Sequence, residues 1–224
     1  MQHPKDQSSS TSVLAYLRGL IPVRDAITFP EALRIAELQA NKLLELHGIV
    51  DGPVPTEVIS ELPKLIIENT GRLVSGATFW NKHHQAWVIQ LSRADSPARR
   101  RFTLAHEYKH IIDHGRQTVL YRKTRTRSAA AQAEQSADYF AGCLLVPRRL
   151  LKRAWGNGIQ DASELAQLFE VSEQAVGVRL RQTGLVDGWT RHSPRAFPLA
   201  WEPDQNPTRD DETPEIVEER GVPL

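Results

Sequence analysis

The stretch Phe102–His114, "FTLAHEYKHIIDH", decides how this chain is read. It carries three histidines at intervals of four, His106, His110 and His114, with Glu107 directly after the first. Residues four apart share one face of an α-helix. In a helix, His106 and His110 can therefore present two imidazoles to one cation, with Glu107 beside them. The flanking residues predict that helix. Asp95 or Ser96 can cap it, Pro97 suits its first turn, and Gly115 follows its end. Phe102, Leu104, Ile111 and Ile112 give it apolar surface to bury.

Two neutral imidazoles suit zinc, which takes nitrogen, oxygen or thiolate donors in a tetrahedron. The single cysteine, Cys143, excludes a disulfide framework and a cysteine-based zinc cluster. A catalytic zinc site needs one more protein ligand and a position left open for water. Metzincin-type proteases place a third histidine six residues after the second, and here that position is Arg116. His114 lies one turn past His110, but three side chains over two turns of a straight helix span about 11 Å. His114 therefore reads as a neighbour of the ligands or a surface residue. The better donor lies downstream, in "QAEQSADYFAGCLLVP". Glu134 and Asp138 stand four apart, on a face shared with Ala130, Ala137 and Ala141, where small side chains admit a neighbouring helix. Glu134 is expected to coordinate. Asp138 is expected to accept the outer N–H of a ligating histidine and so set its tautomer.

Hydropathy and turn residues sketch the rest. "VLAYLRGLI" predicts a short helix stopped at Pro22. "FPEALRIAELQANKLLELHGI" predicts a longer one, with Pro30 in its first turn and a buried face of Ala32, Ile35, Leu38, Leu43, Leu44 and Leu46. "PTEVISELPKLIIE" passes from a short helix into a strand after Pro63, and "GATFWNKHHQAWVIQLS" reads as two strands around a polar turn. "RQTVLYRKTRTRS" reads as a basic polar loop ahead of a helix that Ser128 caps and Pro147 stops. In "SELAQLFEVSEQAVGVRLRQTG", Leu165, Ala166, Phe169, Val171, Ala175, Val176 and Leu180 are spaced to build a small helix-turn-helix core. Ser172 would cap its second helix, leaving Glu173, Gln174, Arg179, Arg181 and Gln182 mostly outside.

Three blocks, "RRRFTLAHEYKH", "AEQSADYFAGCLLVP" and "LAQLFEVSEQAVGVRLRQTGL", together resemble the ImmA/IrrE family of metallopeptidases. The resemblance runs from about Pro30 to Val186. It implies an α+β, zincin-like domain in which a small sheet flanks an HExxH helix and a glutamate-bearing helix, followed by a helix-turn-helix-like segment. It also implies Zn2+ on His106, His110 and Glu134, with Glu107 as general base. Many members cut or inactivate helix-turn-helix repressors of mobile elements, prophages or stress responses, so such a repressor is the expected substrate. One departure is Lys109, where the commonest family pattern has glycine. A donor for the oxyanion is also expected, with Tyr121, His83, His84 and His114 as candidates.

The expected organisation is an N-terminal segment at 1–29, partly disordered, and the metallopeptidase domain at 30–155. A helix-turn-helix-like module at 156–190 and an acidic, proline-rich, disordered tail at 191–224 follow. From Glu202 onward eight acidic residues stand against two arginines, a charge of −6, which leaves about +7 on residues 1–201 of a chain with net charge +1. That split suggests a solubilising tail, or one that lies across the basic loop and restrains activity. The polar start of the chain has no secretory pattern, and no apolar run approaches the roughly 20 residues of a membrane helix. A cytoplasmic location with no membrane partner is expected. The rival reading is a non-proteolytic DNA- or protein-binding regulator with a structural or vestigial metal. DNA contact has weak support, because Glu173 at the start of the second helix is unfavourable near phosphates.

Overall fold

The computed structural model describes residues 12–71 and 76–186. The expectations for the first eleven residues and for the tail from 191 onward lie outside these. The described elements run α1 (Val13–Gly19), α2 (Phe29–Leu46), α3 (Glu57–Ser60), β1 (Leu65–Thr70), β2 (Gly76–Asn81) and β3 (Ala86–Ser92). There follow α4 (Pro97–Asp113), α5 (Gln117–Leu120), α6 (Ala129–Leu145), α7 (Arg148–Gly156), α8 (Ala162–Phe169) and α9 (Glu173–Thr183). The architecture is mixed α+β, a small sheet beside many helices. No described helix is long and apolar enough to cross a membrane.

The sheet has the order β1-β3-β2, with β1 parallel and β2 antiparallel to the central β3. Its register aligns Leu65, Trp87 and Trp80 across the three strands, then Ile67, Ile89 and Thr78, then Asn69, Leu91 and Gly76. Side chains alternate faces along a strand, so these residues share one face. That face carries buried Ile89 and Leu91 into the core that also holds Leu104, Ala105 and Ile111 of α4.

The long helices start where their sequences allow. Ser96 caps α4 by accepting from the Arg99 N–H, and Ser128 caps α6 by accepting from the Ala131 N–H. Thr28 and Glu31 satisfy each other's backbone donors at the start of α2 in a capping box. The small residues of α6 do what their size predicts. Ala137 and Ala141 are fully buried, and α6 packs closely on both α2 and α4. Three helices thus form one layer, and α4 presents its opposite side to the sheet.

Several expectations need correcting. Leu38 and Leu46 of α2 are largely exposed, whereas Leu33, Ala36, Gln39 and Ala40 are buried. The buried stripe of α2 is rotated from the one its apolar spacing suggested, and Gln39 within it donates to the Leu17 carbonyl of α1. The segment 116–128 is not all polar loop. It contains α5, and Leu120 and Tyr121 pack with Ile21, Ile27, Ala32 and Ile35 in a second, smaller core cluster. Helix α7, which buries Leu150, Leu151 and Ala154, has no counterpart in the sequence expectations.

Arg179 is the other correction. It is buried rather than outside. Its Nε donates to the Val146 carbonyl at 3.2 Å, one Nη donates to Gln182 Oε1 at 2.6 Å, and its guanidinium lies over the Tyr139 ring. A Cβ on Gly142 would stand 3.1 Å from Arg179 Cδ, so glycine there lets α9 settle on α6. The apolar residues of α8 and α9 belong to the same core cluster as Leu104 and Phe140.

Candidate metal centre

Helix α4 and helix α6 lie side by side and bring three donors together. His106, His110 and Glu134 offer ligand atoms that all lie within 4.8 Å of one another. His106 Nε2 and His110 Nε2 are 3.1 Å apart. The Glu134 carboxylate stands 3.2 Å from His106 Nε2 and 3.4 Å from His110 Nε2. Donors held at about 2.0–2.1 Å from a tetrahedral zinc are separated from one another by roughly 3.3 Å. The spacing of these three groups therefore suits such an ion.

The electrostatics point the same way. Asp138, one turn past Glu134 on α6, accepts from His106 Nδ1 at 2.8 Å, because an ionised carboxylate can only accept. That fixes the tautomer and turns the Nε2 lone pair toward His110 and Glu134. Burial pulls the His106 pKa down, but hydrogen bonds and charge from Asp138 and Glu134 outweigh it and raise the pKa to about 10. His110 is held below its ordinary value, first by burial and then by the neighbouring His106. The two carboxylates thus favour a positive charge at His106, whereas His110 is disfavoured from carrying one. A proton and a divalent cation compete for that place.

The three donors open onto a cleft of about 640 Å³, whose polar lining includes Glu107, Gln117, His114, Trp87 and the β2 residues Gly76 to Thr78. Glu107 follows His106 on α4 and faces this cleft, not the core. The close approach of β2 to α4 depends on Gly76. A Cβ there would stand 2.7 Å from Glu107 Oε1 and still closer to the Thr103 methyl. Gly76→Ala is therefore expected to push the Glu107 carboxylate out of place. Over-packing of this kind costs about 1–3 kcal/mol. Thermal melting together with metal content checks this: the melting temperature should fall while the three donors on α4 and α6 keep their metal.

His114 caps the C-terminal end of α4 and is exposed. It lines the cleft and meets the Trp87 ring edge-on at 4.8 Å between centroids, outside the three-donor group. The other oxyanion candidates do not reach the cleft. Tyr121 is buried, and its hydroxyl donates to Asp113 Oδ2 at 2.5 Å. His83 and His84 sit in the β2–β3 turn, exposed, with their backbone N–H groups donating to Asn81 Oδ1. Cys143 is fully buried in α6, and burial pushes its thiol up to about 11, which suppresses the thiolate.

Lys109 points away from the cleft. It is completely buried and ion-paired with Asp113 one turn on, and Asp113 also accepts from Tyr121. Burial lowers the Lys109 pKa, opposed by the Asp113 carboxylate. Gly76, Thr78, Trp87 and Gln117 had no individual signal in the sequence. Only the β2–β3 register, combined with packing on α4, places them here.

No curated protein matches the chain. Among solved structures, a Mycobacterium tuberculosis transcriptional regulator resembles it with a TM-score of 0.54 at 19% sequence identity. That match covers 82% of this chain and 53% of the other, so the chain spans about half the length of that structure. At this identity the likeness concerns the fold. Residues 70–181, half of the 224, match the Peptidase_M78 family model, described as an IrrE N-terminal-like domain. The match runs from the end of β1 through the metal-site helices and into α9, and on that basis the chain belongs to the IrrE N-terminal-like domain family.

Proposed function

We propose that the chain is a zinc-dependent endopeptidase that cleaves or inactivates a repressor-type, helix-turn-helix regulatory protein. One observation carries the reading: three donors with zinc-like spacing share an open cleft with Glu107, a carboxylate that is not among them. A structural zinc site is closed by four protein ligands, whereas a catalytic one keeps a position free. His106, His110 and Glu134 would hold the ion, and Asp138 would orient His106. Bound zinc supplies a Lewis acid that polarises the scissile carbonyl and lowers the pKa of water toward ~7.

The chain's own groups supply the proton transfers. Glu107 takes a proton from the attacking water and returns it to the leaving amine. His114 and Gln117 line the same cleft and are placed to hold the peptide, with His114 kept in position by Trp87. The substrate class comes from the family resemblance. The anchoring of Arg179 inside the fold argues against the DNA-binding alternative, since it removes a cation from the exposed side of α9.

Metal content by mass spectrometry is the first test. Wild type is expected to hold about one zinc, and Glu134→Ala to lose it, because two imidazoles alone form a weak site. Equal zinc in both proteins would refute the ligand set. Incubation with purified helix-turn-helix repressors, read by intact-mass change, then tests the cleavage.

A further inference from the structure

A second pocket lies beyond Trp87, on the side away from the donors. It measures about 350 Å³ and is largely apolar, walled by Val13 and Leu14 of α1, Leu62, Leu65 and Trp80, with Tyr108 and Ile111 of α4. Trp80 meets Trp87 edge-on at 5.5 Å and stands partly exposed at the mouth. Trp87 lines this pocket and the metal cleft alike, so one indole is the wall between them.

Tyr108 is the unusual member. Its side chain is 2% exposed, yet its hydroxyl has no hydrogen-bond partner among the described residues. Burial raises its pKa, so it stays a neutral phenol. Arg18 also lines the pocket, and it spends Nε and one Nη on the Ile112 and Ile111 carbonyls at the end of α4. A buried, unpartnered hydroxyl costs free energy unless something that enters the pocket completes it.

We propose that this pocket receives a large side chain of the bound polypeptide, apolar along its length with a hydrogen-bonding tip, tyrosine above all, and that Tyr108 selects it. The proposal rests on the peptidase reading for its occupant. Continuity with the cleft supports that occupant. Trp87 meets His114, one helical turn or about 5.4 Å past His110. An extended chain advances about 3.3 Å per residue. The selected side chain therefore lies about two to three residues from the scissile bond. The cleft is polar and takes the backbone; the pocket beyond it takes the side chain.

The test uses the full-length protein and three probes: N-acetyl-tyrosinamide, N-acetyl-phenylalaninamide and N-acetyl-alaninamide. The indole N–H signals of Trp80 and Trp87, assigned with Trp80→Phe and Trp87→Phe, report on the pocket by NMR. Saturable shifts are expected with tyrosinamide, about three- to tenfold weaker binding with phenylalaninamide, and none with alaninamide. Tyr108→Phe should make the first two probes equal. It removes a group with no hydrogen-bond partner among the described residues, so the variant is expected to fold. Val13→Phe should fill the pocket and abolish both responses.

No saturable indole shift with tyrosinamide overturns the proposal, as does an unchanged tyrosine preference in Tyr108→Phe. Digestion of a random peptide library by the zinc-loaded protein separates the two readings. Cleavage with tyrosine enriched two to three residues from the cut supports both. Indole shifts without any cleavage support the pocket and count against the peptidase reading, whereas cleavage with no tyrosine enrichment overturns the pocket's role.

Discussion

Glu107→Gln is expected to bind zinc like wild type and to lose about 10²–10⁴-fold in turnover, the range that removing a positioned general base costs. Glutamine keeps the shape and hydrogen-bonding reach of the side chain but cannot accept the water's proton at neutral pH. The variant separates two things that Glu134→Ala confounds, because Glu107 lies outside the donor group. The Gly76 contact holds its carboxylate against β2, so the amide should occupy the same place with little change in stability. Metal analysis and single-turnover cleavage on the same preparation give both readouts. Full turnover in Glu107→Gln would remove the mechanism. Loss of zinc would instead mean that Glu107 contributes to metal binding.

Asp113→Ala should produce the largest loss of stability. Lys109 is completely buried and Asp113 is its ion-pair partner. Removing one partner of a buried pair costs about 3–5 kcal/mol, since the remaining charge has neither water nor counterion. The Tyr121 hydroxyl loses its acceptor in the same stroke. Domains are stable by only about 5–15 kcal/mol, so the melting temperature should fall by on the order of 10 °C. The comparison belongs in metal-free protein, where zinc binding cannot mask it. Replacing the network as a set, with Lys109→Met, Asp113→Leu and Tyr121→Phe, should recover most of the loss, because well-packed apolar groups often substitute for a buried pair. If Asp113→Ala melts within a degree or two of wild type, the pair contributes little to the fold.

Lys109 shows how a family departure can be absorbed. A glycine at that position would leave the C-terminal half of α4 without this anchor. The lysine instead joins α4 to the segment after α5 through Asp113 and Tyr121. That joint explains why Tyr121, attractive as an oxyanion donor on composition alone, lies in the core.

The helices and strands around the site were legible because their signals are local. Ser96, Pro97 and Gly115 mark α4, Ser128 and Pro147 mark α6, and a polar turn between two apolar runs marks β2 and β3. The four-residue interval alone put His106 with His110 on one face, and Glu134 with Asp138 on another. Failures came where burial depends on the partner. Leu38 and Leu46 fit a helical stripe but face outward, because the side of α2 that enters the main core carries Ala36, Ala40, Leu43 and Leu44. Arg179 has a residue type usually found at the surface, yet Val146, Gln182 and Tyr139 satisfy it inside. Helix α7 carries only two adjacent leucines and an alanine as its buried set, a pattern too short to announce itself.

The sequence by itself determined the donor types, their intervals and the helices that carry them, since those depend on residues within a turn or two. Tertiary structure alone decided that α6 crosses α4 at the height where Glu134 reaches His106 and His110, and that Gly76 brings β2 against Glu107. It also placed Trp87 between the metal cleft and the pocket at Tyr108. These relations join residues roughly twenty to fifty positions apart in the chain. They are set by which small and large side chains interlock across packed surfaces, and no local pattern encodes that.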